Sequence, residues 1–198
     1  RQTEPVVGVV GGGQLAQMLV EAARKRSVQI AVQTSSPNDP AGTRANTLVL
    51  ANPQDTRGTR KLAETCSCIT FENEWVNVKE LSLLEGQENV FLPPLRALEP
   101  LVDKISQRQL LDRLEIPGPA WIPLASSQIG SSKLPIGWEF PLMAKTSRGG
   151  YDGKGTRVLT NFEDLNRLID SVETKDWLIE AWVPYERELA LVASRDIK

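Results

Sequence analysis

Between two apolar runs, FPLMAK at 140–145 and TRVLT at 156–160, the chain places SRGGYDGKG, in which glycine recurs at 149, 150, 153 and 155. Both flanking runs read as short strands, so the stretch is a hairpin tip. Its nine residues exceed the roughly two to five that a hairpin turn needs. Surplus glycine serves a loop that moves, or a backbone that must approach something closely. Lys145, Arg148 and Lys154 in and beside the loop make an anion the natural partner.

A second glycine cluster lies near the start. Gly11, Gly13 and Ala16 follow the apolar run PVVGVV and precede a helical pattern. This G-x-G-x-x-A spacing aims backbone N–H groups and a helix N-terminus at an anion, with Gly12 and Gln14 inside the same turn. A dinucleotide-binding turn normally has an acid at the end of the next strand to hold a ribose hydroxyl. Here that strand end reads Gln33–Thr34–Ser35. A dinucleotide, a phosphate-bearing substrate and a purely structural turn all stay open.

Carboxylates supply the third group. ITFENEWV sets Glu72 and Glu74 two apart at a strand end, where both would face one way. Ligands of parallel α/β sheets bind at such ends, although a solvated acidic loop has the same composition. Lys145 ends an apolar strand and needs an anionic partner there. Lys104, beside Asp103 on a helix, reads alone as surface charge. Glu180 and Glu188 flank AWVPYER, where Pro184 interrupts two strands and leaves backbone groups to pair with a base edge.

The elements that position these groups fall into two halves. Strands at PVVGVV, 28–33, 46–51 and CSCITF alternate with helices, the first marked by Leu15, Met18, Leu19 and Ala22 and the second spanning 55–66. A helix at 78–85 and a strand at 89–93 complete about 100 residues of parallel α/β sheet. The second half opens with a helix over 101–116, whose apolar side carries Leu101, Ile105, Leu110, Leu111 and Leu114. Beyond the glycine hairpin come a helix at 162–172 and strands DWLIEAWV and ELALVAS, an α+β pattern. The boundary is placed near 100, giving domains 1–100 and 101–198.

Composition excludes several classes. With 23 basic and 25 acidic residues, the net charge of −2 gives no pull toward nucleic acid or an acidic membrane. No apolar run approaches the roughly 20 residues of a membrane span, and the first residues lack a secretory signal. Cys66 and Cys68 cannot make a structural zinc site by themselves, and the absence of histidine removes His-based triads and the commonest general base. Two buried cysteines in a reducing, cytoplasmic setting are the expectation.

GVVGGGQLAQML, DKISQRQLLDRLEIPGP, AKTSRGGYDGKGTRV and LIEAWVPYERELALV occur in the order seen in ATP-grasp enzymes. The chain resembles that family over nearly its whole length, and within it the 5-(carboxyamino)imidazole ribonucleotide synthases of purine biosynthesis. The Tyr-Asp pair of RGGYDGKG is the most specific element. The implied fold is a Rossmann-like pre-ATP-grasp domain followed by the first part of an α+β ATP-grasp domain. The implied reaction carboxylates aminoimidazole ribonucleotide with bicarbonate and ATP, through carboxyphosphate.

The resemblance also implies residue roles. Lys104 and Lys145 match the ATP-phosphate contacts. Gly150, Tyr151, Asp152, Gly153, Lys154, Gly155 and Thr156 match the closing loop. Glu180, Ala181, Trp182 and Val183 match the segment that reads adenine, and Glu188 the acid on the ribose. Tyr151 and Asp152, with Glu72 or Glu74, match catalytic positions near the ribonucleotide, and Gly11, Gly12, Gly13 and Gln14 match the wall of its site. Mg²⁺ is implied as cofactor, with its ligands expected downstream of Lys198, and a homodimer is implied for the full-length enzyme. The chain would then hold about half an active site. Another ATP-grasp ligase, of the glycinamide ribonucleotide transformylase or biotin carboxylase type, and a non-carboxylating dehydrogenase-like module are the competing readings.

Overall fold

The structure is a computed structural model, and it describes residues 5–86, 90–150 and 155–193. The chain divides into two compact units, 1–110 and 111–198.

The first unit alternates β1 (Val6–Val10), α1 (Gln14–Arg24), β2 (Gln29–Thr34), β3 (Thr47–Leu50), α2 (Thr56–Ala63), β4 (Cys68–Phe71), α3 (Val78–Leu81), β5 (Val90–Phe91) and α4 (Leu95–Leu98). The strands form one parallel sheet in the order β3-β2-β1-β4-β5. Strand order reverses beside β1, the place where such sheets open a ligand crevice at their carboxyl edge. β1 pairs Val10 with Gln33 on one side and with Phe71 on the other. That register sets Gly11, Thr34 and Glu72 side by side at the edge.

The apolar face of α1 differs from the expected one. Ala16, Val20 and Ala23 are buried against Val9, Ile30 and Val32, whereas Leu15, Met18, Leu19 and Ala22 are exposed. The glycine turn explains the phase of the helix. Its sixth position must pack closely on the strand, so Ala16 faces the sheet and turns residue 15 outward by about 100°.

The helix expected over 101–116 is shorter, α5 (Lys104–Arg113), and none of its residues is buried. Asp103 Oδ1 accepts from the Ile105 and Ser106 N–H groups at 2.9 and 3.1 Å, which fixes the start after Leu101. Glu115 at φ 53° and Pro117 end it.

The second unit holds β6 (Trp121–Pro123), β7 (Leu142–Thr146), β8 (Thr156–Leu159), α6 (Phe162–Ser171) and β9 (Trp177–Ala181). Its antiparallel sheet runs β6-β9-β7-β8. One face packs Leu142, Ala144, Trp177 and Ile179 against Leu165 and Leu168 of α6. Asn161 caps that helix by accepting from Asp164 N–H at 2.9 Å. The strand expected at ELALVAS is not formed among the described residues: Leu189, Leu191 and Val192 stand 88–98% exposed, since a strand persists only where a ladder partner satisfies its backbone. β6 was not foreseen. Its three residues, one of them proline, are too few for alternation to show.

Candidate functional site

In the first unit the carboxyl edge of the sheet bounds a cavity of about 330 Å³, walled by Gly11, Gly12, Thr34, Asn52, Gln54 and Glu72 among others. Glu72 does more than line it. The Gly13 N–H donates to Glu72 Oε2 at 2.8 Å, and the Ala16 N–H reaches Oε1 at 3.4 Å. The turn's anion position is therefore filled from within, by a carboxylate that caps the α1 N-terminus.

The glycines accommodate that carboxylate. Gly11 has φ +115°, and a Cβ there would lie 2.6 Å from Glu72 Cβ. At Gly13 a Cβ would lie 2.4 Å from Glu72 Oε1. Gly11 and Gly12 line the cavity, while Gly13 meets Glu72 and Gln14 begins α1 exposed. Glu74 follows on the loop after β4, half-buried and outside the cavity wall. Thr34 Oγ1 donates to Asp39 Oδ2 beside Gly12 on the cavity wall. Burial raises the thiol pKa of the buried Cys66 and the half-buried Cys68 above the ordinary value, which disfavours the reactive thiolate in both.

In the second unit the sheet face away from α6 carries the charges. Alternation puts Met143, Lys145, Leu178 and Glu180 on that face. Lys145 Nζ donates to Glu180 Oε2 at 2.7 Å, a pair lying diagonally across β7 and β9. The Glu180 side chain is 5% exposed and that of Lys145 29%. A deeply placed carboxylate thus holds an ammonium at a partly open surface, ready to meet a second anion.

Immediately after Lys145 the chain enters the neck of the glycine loop. Thr146 N–H donates to Gly155 O at 2.8 Å, and Ser147 N–H to Asp176 O at 2.7 Å. Gly150 has φ +87°, and a Cβ on it would fall 2.7 Å from Gly155 Cα. These two glycines answer to close backbone packing. Tyr151, Asp152, Gly153 and Lys154 lie outside the described residues, and Thr156 opens β8 on the same face as Lys145. Ala181 ends β9, and Trp182, Val183 and Glu188 continue in an exposed, irregular stretch. Lys104 is the first residue of α5, in the other unit, and half-buried.

Sequence reasoning named Gln33 and Glu72 but missed what their side chains do. The inward turn of Gln33 and the capping role of Glu72 both depend on register between strands distant in sequence, which no local spacing encodes.

Comparison with known proteins follows the same two-unit division. Residues 5–100 match the model of the ribonucleotide synthetase preATP-grasp domain, and residues 109–198 match the ATP-grasp domain. An N5-carboxyaminoimidazole ribonucleotide synthase of Synechococcus elongatus is 42% identical over 189 residues, 96% of this chain and 48% of the relative. Its counterpart in Synechocystis is 43% identical, covering 97% and 48%. A crystal structure of carboxyaminoimidazole ribonucleotide synthase from Aspergillus clavatus complexed with ATP superposes with TM-score 0.82 at 26% identity, over 92% of this chain and 48% of that one. The chain spans about half the length of the curated relatives it matches. Two domain models in sequence, relatives aligned from end to end of the chain, and a shared fold agree: the chain belongs to the ATP-grasp family, and the N5-carboxyaminoimidazole ribonucleotide synthases are the branch it resembles.

Proposed function

We propose that this chain forms the pre-ATP-grasp domain, 1–100, and the N-terminal ATP-grasp portion, 101–198, of an enzyme that carboxylates 5-aminoimidazole ribonucleotide. The observation that carries the reading is the Lys145–Glu180 pair at 2.7 Å, on a partly open sheet face one residue from the glycine loop's neck. Phosphoryl transfer needs positioning and charge neutralisation more than covalent help from the protein. Lys145 and Lys104 are assigned to the ATP phosphates, and residues 150–156 to the loop that covers them. The backbone of Glu180, Ala181, Trp182 and Val183 is assigned to adenine, and Glu188 to the ribose hydroxyls.

A bicarbonate oxygen displaces ADP from the γ-phosphorus, giving carboxyphosphate, which breaks down to carbon dioxide and phosphate. The exocyclic amine of the ribonucleotide adds to the carbon dioxide, and Asp152 takes the proton released as the N–C bond forms. Tyr151 and Glu72 orient the ribonucleotide, and water is excluded because carboxyphosphate hydrolyses readily. Among the described residues no group of three His, Cys, Asp or Glu gathers that could hold a metal ion; the ligands of Mg²⁺ are assigned to the part of the enzyme outside this chain, and no step is routed through it. No helix among the described residues is long and apolar enough to cross a membrane, and we place the enzyme in the cytoplasm, as a homodimer.

Calorimetric titration of the chain with ATP tests the nucleotide half of this reading. Lys145→Ala is expected to weaken binding at least about tenfold, the worth of one charge-assisted contact to phosphate. Glu188→Gln is expected to weaken ATP while leaving 2′,3′-dideoxy-ATP unaffected. Equal losses for both ligands would remove Glu188 from the ribose, and unchanged ATP affinity in Lys145→Ala would remove the site from this sheet face.

A further inference from the structure

Gln33 sits at the end of β2, where a dinucleotide-binding sheet would present its ribose acid. It is 0% exposed, and its side chain turns away from the cavity. Nε2 donates to Asn52 O at 2.8 Å and to Asp55 O at 3.1 Å, and Oε1 accepts from Thr59 Oγ1 at 2.8 Å. Thr59 is itself 0% exposed. The Gln33 carbonyl accepts from Gly11 N–H at 2.9 Å.

Gly58 presses on the same group, since a Cβ there would lie 2.7 Å from Gln33 Nε2 and 2.5 Å from Ala51 Cβ. One buried residue thus ties down two parts of the cavity wall: Gly11 through its backbone, and the 52–55 segment through its amide. Asn52 and Gln54 of that segment line the space. A buried amide satisfied at both ends fixes geometry more strongly than an apolar side chain of equal size.

We propose that Gln33 is a positioning residue for the first unit's cavity, holding the 52–55 wall at a fixed distance from the glycine turn so that the ribonucleotide meets a preformed site. The segment 52–55 is a connection between β3 and α2 that closes its own turn, Gln54 N–H to Asn52 Oδ1 at 2.9 Å and Asp55 N–H to Asn52 O at 2.8 Å; Gln33 ties that turn to the sheet beyond the Ala51 N–H to Thr34 O contact at 3.0 Å. The same inward turn takes the Gln33 side chain out of the cavity, whose wall at the β2 end is made by Thr34, Ser35 and Asp39. The ligand in this proposal rests on the function proposed above. The positioning itself does not.

The test is amide hydrogen exchange on the whole chain, with and without 5-aminoimidazole ribonucleotide. In Gln33→Met, the Gln54 and Asp55 amides are expected to exchange about tenfold faster, as loss of the amide's hydrogen bonds frees the segment. The Gly11 amide, held by a carbonyl that every variant keeps, should stay within about twofold. Thr59→Val, which releases only the Oε1 anchor, should accelerate the same two amides by about threefold and serves if the methionine variant does not fold. Ribonucleotide affinity should fall in step with exchange at 52–55, and ATP affinity should not move. Acceleration spread evenly over β1 and β2, or none at Gln54 and Asp55, overturns the proposal. Failure of the wild-type chain to bind ribonucleotide, with the exchange contrast intact, overturns the substrate reading and leaves Gln33 as a positioning residue.

Discussion

The two glycine clusters look alike in sequence and are built for different ends. At the first, the chain's own Glu72 fills the turn, and its glycines make room for that carboxylate and for the close approach of α1. At the second, Gly150 and Gly155 pinch the two sides of a neck together beside Lys145. There the nearby carboxylate, Glu180, is given to the lysine.

The largest expected effect separates the two clusters by what surrounds each glycine. Gly11→Ala combines a φ of +115° with a Cβ 2.6 Å from Glu72 Cβ, and should destabilise the first unit by about 2–4 kcal/mol. Gly150→Ala should do the same to the second unit, whereas Gly149→Ala, at φ +67° with nothing within 4 Å, should cost only about 1 kcal/mol. Denaturant unfolding of the three variants decides it. A costly Gly149→Ala together with a harmless Gly150→Ala would mean that the neck is not packed as described.

Next comes the lysine. Lys145→Ala leaves Glu180 without this ammonium, and should cost the second unit about 2–4 kcal/mol, somewhat under the usual figure for a buried pair because the lysine is 29% exposed. Lys145→Ala combined with Glu180→Gln should recover part of that loss, which the melting temperature reads directly. A double variant no better than the single one would show that the pair does not hold the sheet.

Glu72→Gln asks less, since the amide oxygen still accepts one N–H of the turn. It should cost the first unit about 1 kcal/mol, the difference between a charged and a neutral cap, measured by urea unfolding. A loss as large as that of Gly11→Ala would show that the charge, rather than the fit, organises the turn.

The smallest effect is electrostatic. Hydrogen bonds from the Thr160 hydroxyl and amide, then the Arg167 charge, hold the Asp164 carboxyl below its ordinary 3.8. A depressed folded pKa contributes stability above the unfolded value, and that contribution is lost as pH falls through the folded pKa. Thr160→Val should therefore lower the stability of the second unit slightly at pH 7 and flatten its loss below pH 3.8, so that variant and parent converge in acid. An unchanged acid limb in melting curves would contradict this assignment.

The sequence is most legible where a pattern is local. The parallel sheet, the two strands flanking the glycine loop and the helix at 162–171 follow from strand runs, turn residues and helical spacing. What it hides is rotational phase and long-range pairing. Leu15, Met18 and Leu19 have helical spacing, yet the turn before them commits Ala16 to the sheet. Leu189 and Leu191 have strand character, yet a strand needs a neighbour. Glu72 and Glu74 are equivalent by spacing, and only the β1–β4 register brings Glu72 to the glycine turn.

The most direct measurement joins residues 1–198 to the remaining C-terminal half of the Synechococcus elongatus relative, 42% identical over the shared part, and follows ADP release. ADP should appear with bicarbonate and rise on adding 5-aminoimidazole ribonucleotide, with N5-carboxyaminoimidazole ribonucleotide formed one for one. Asp152→Asn should suppress the ribonucleotide-dependent part and spare ATP affinity. A folded chimera that binds ATP and releases ADP at the same rate whether or not the ribonucleotide is present would contradict the account.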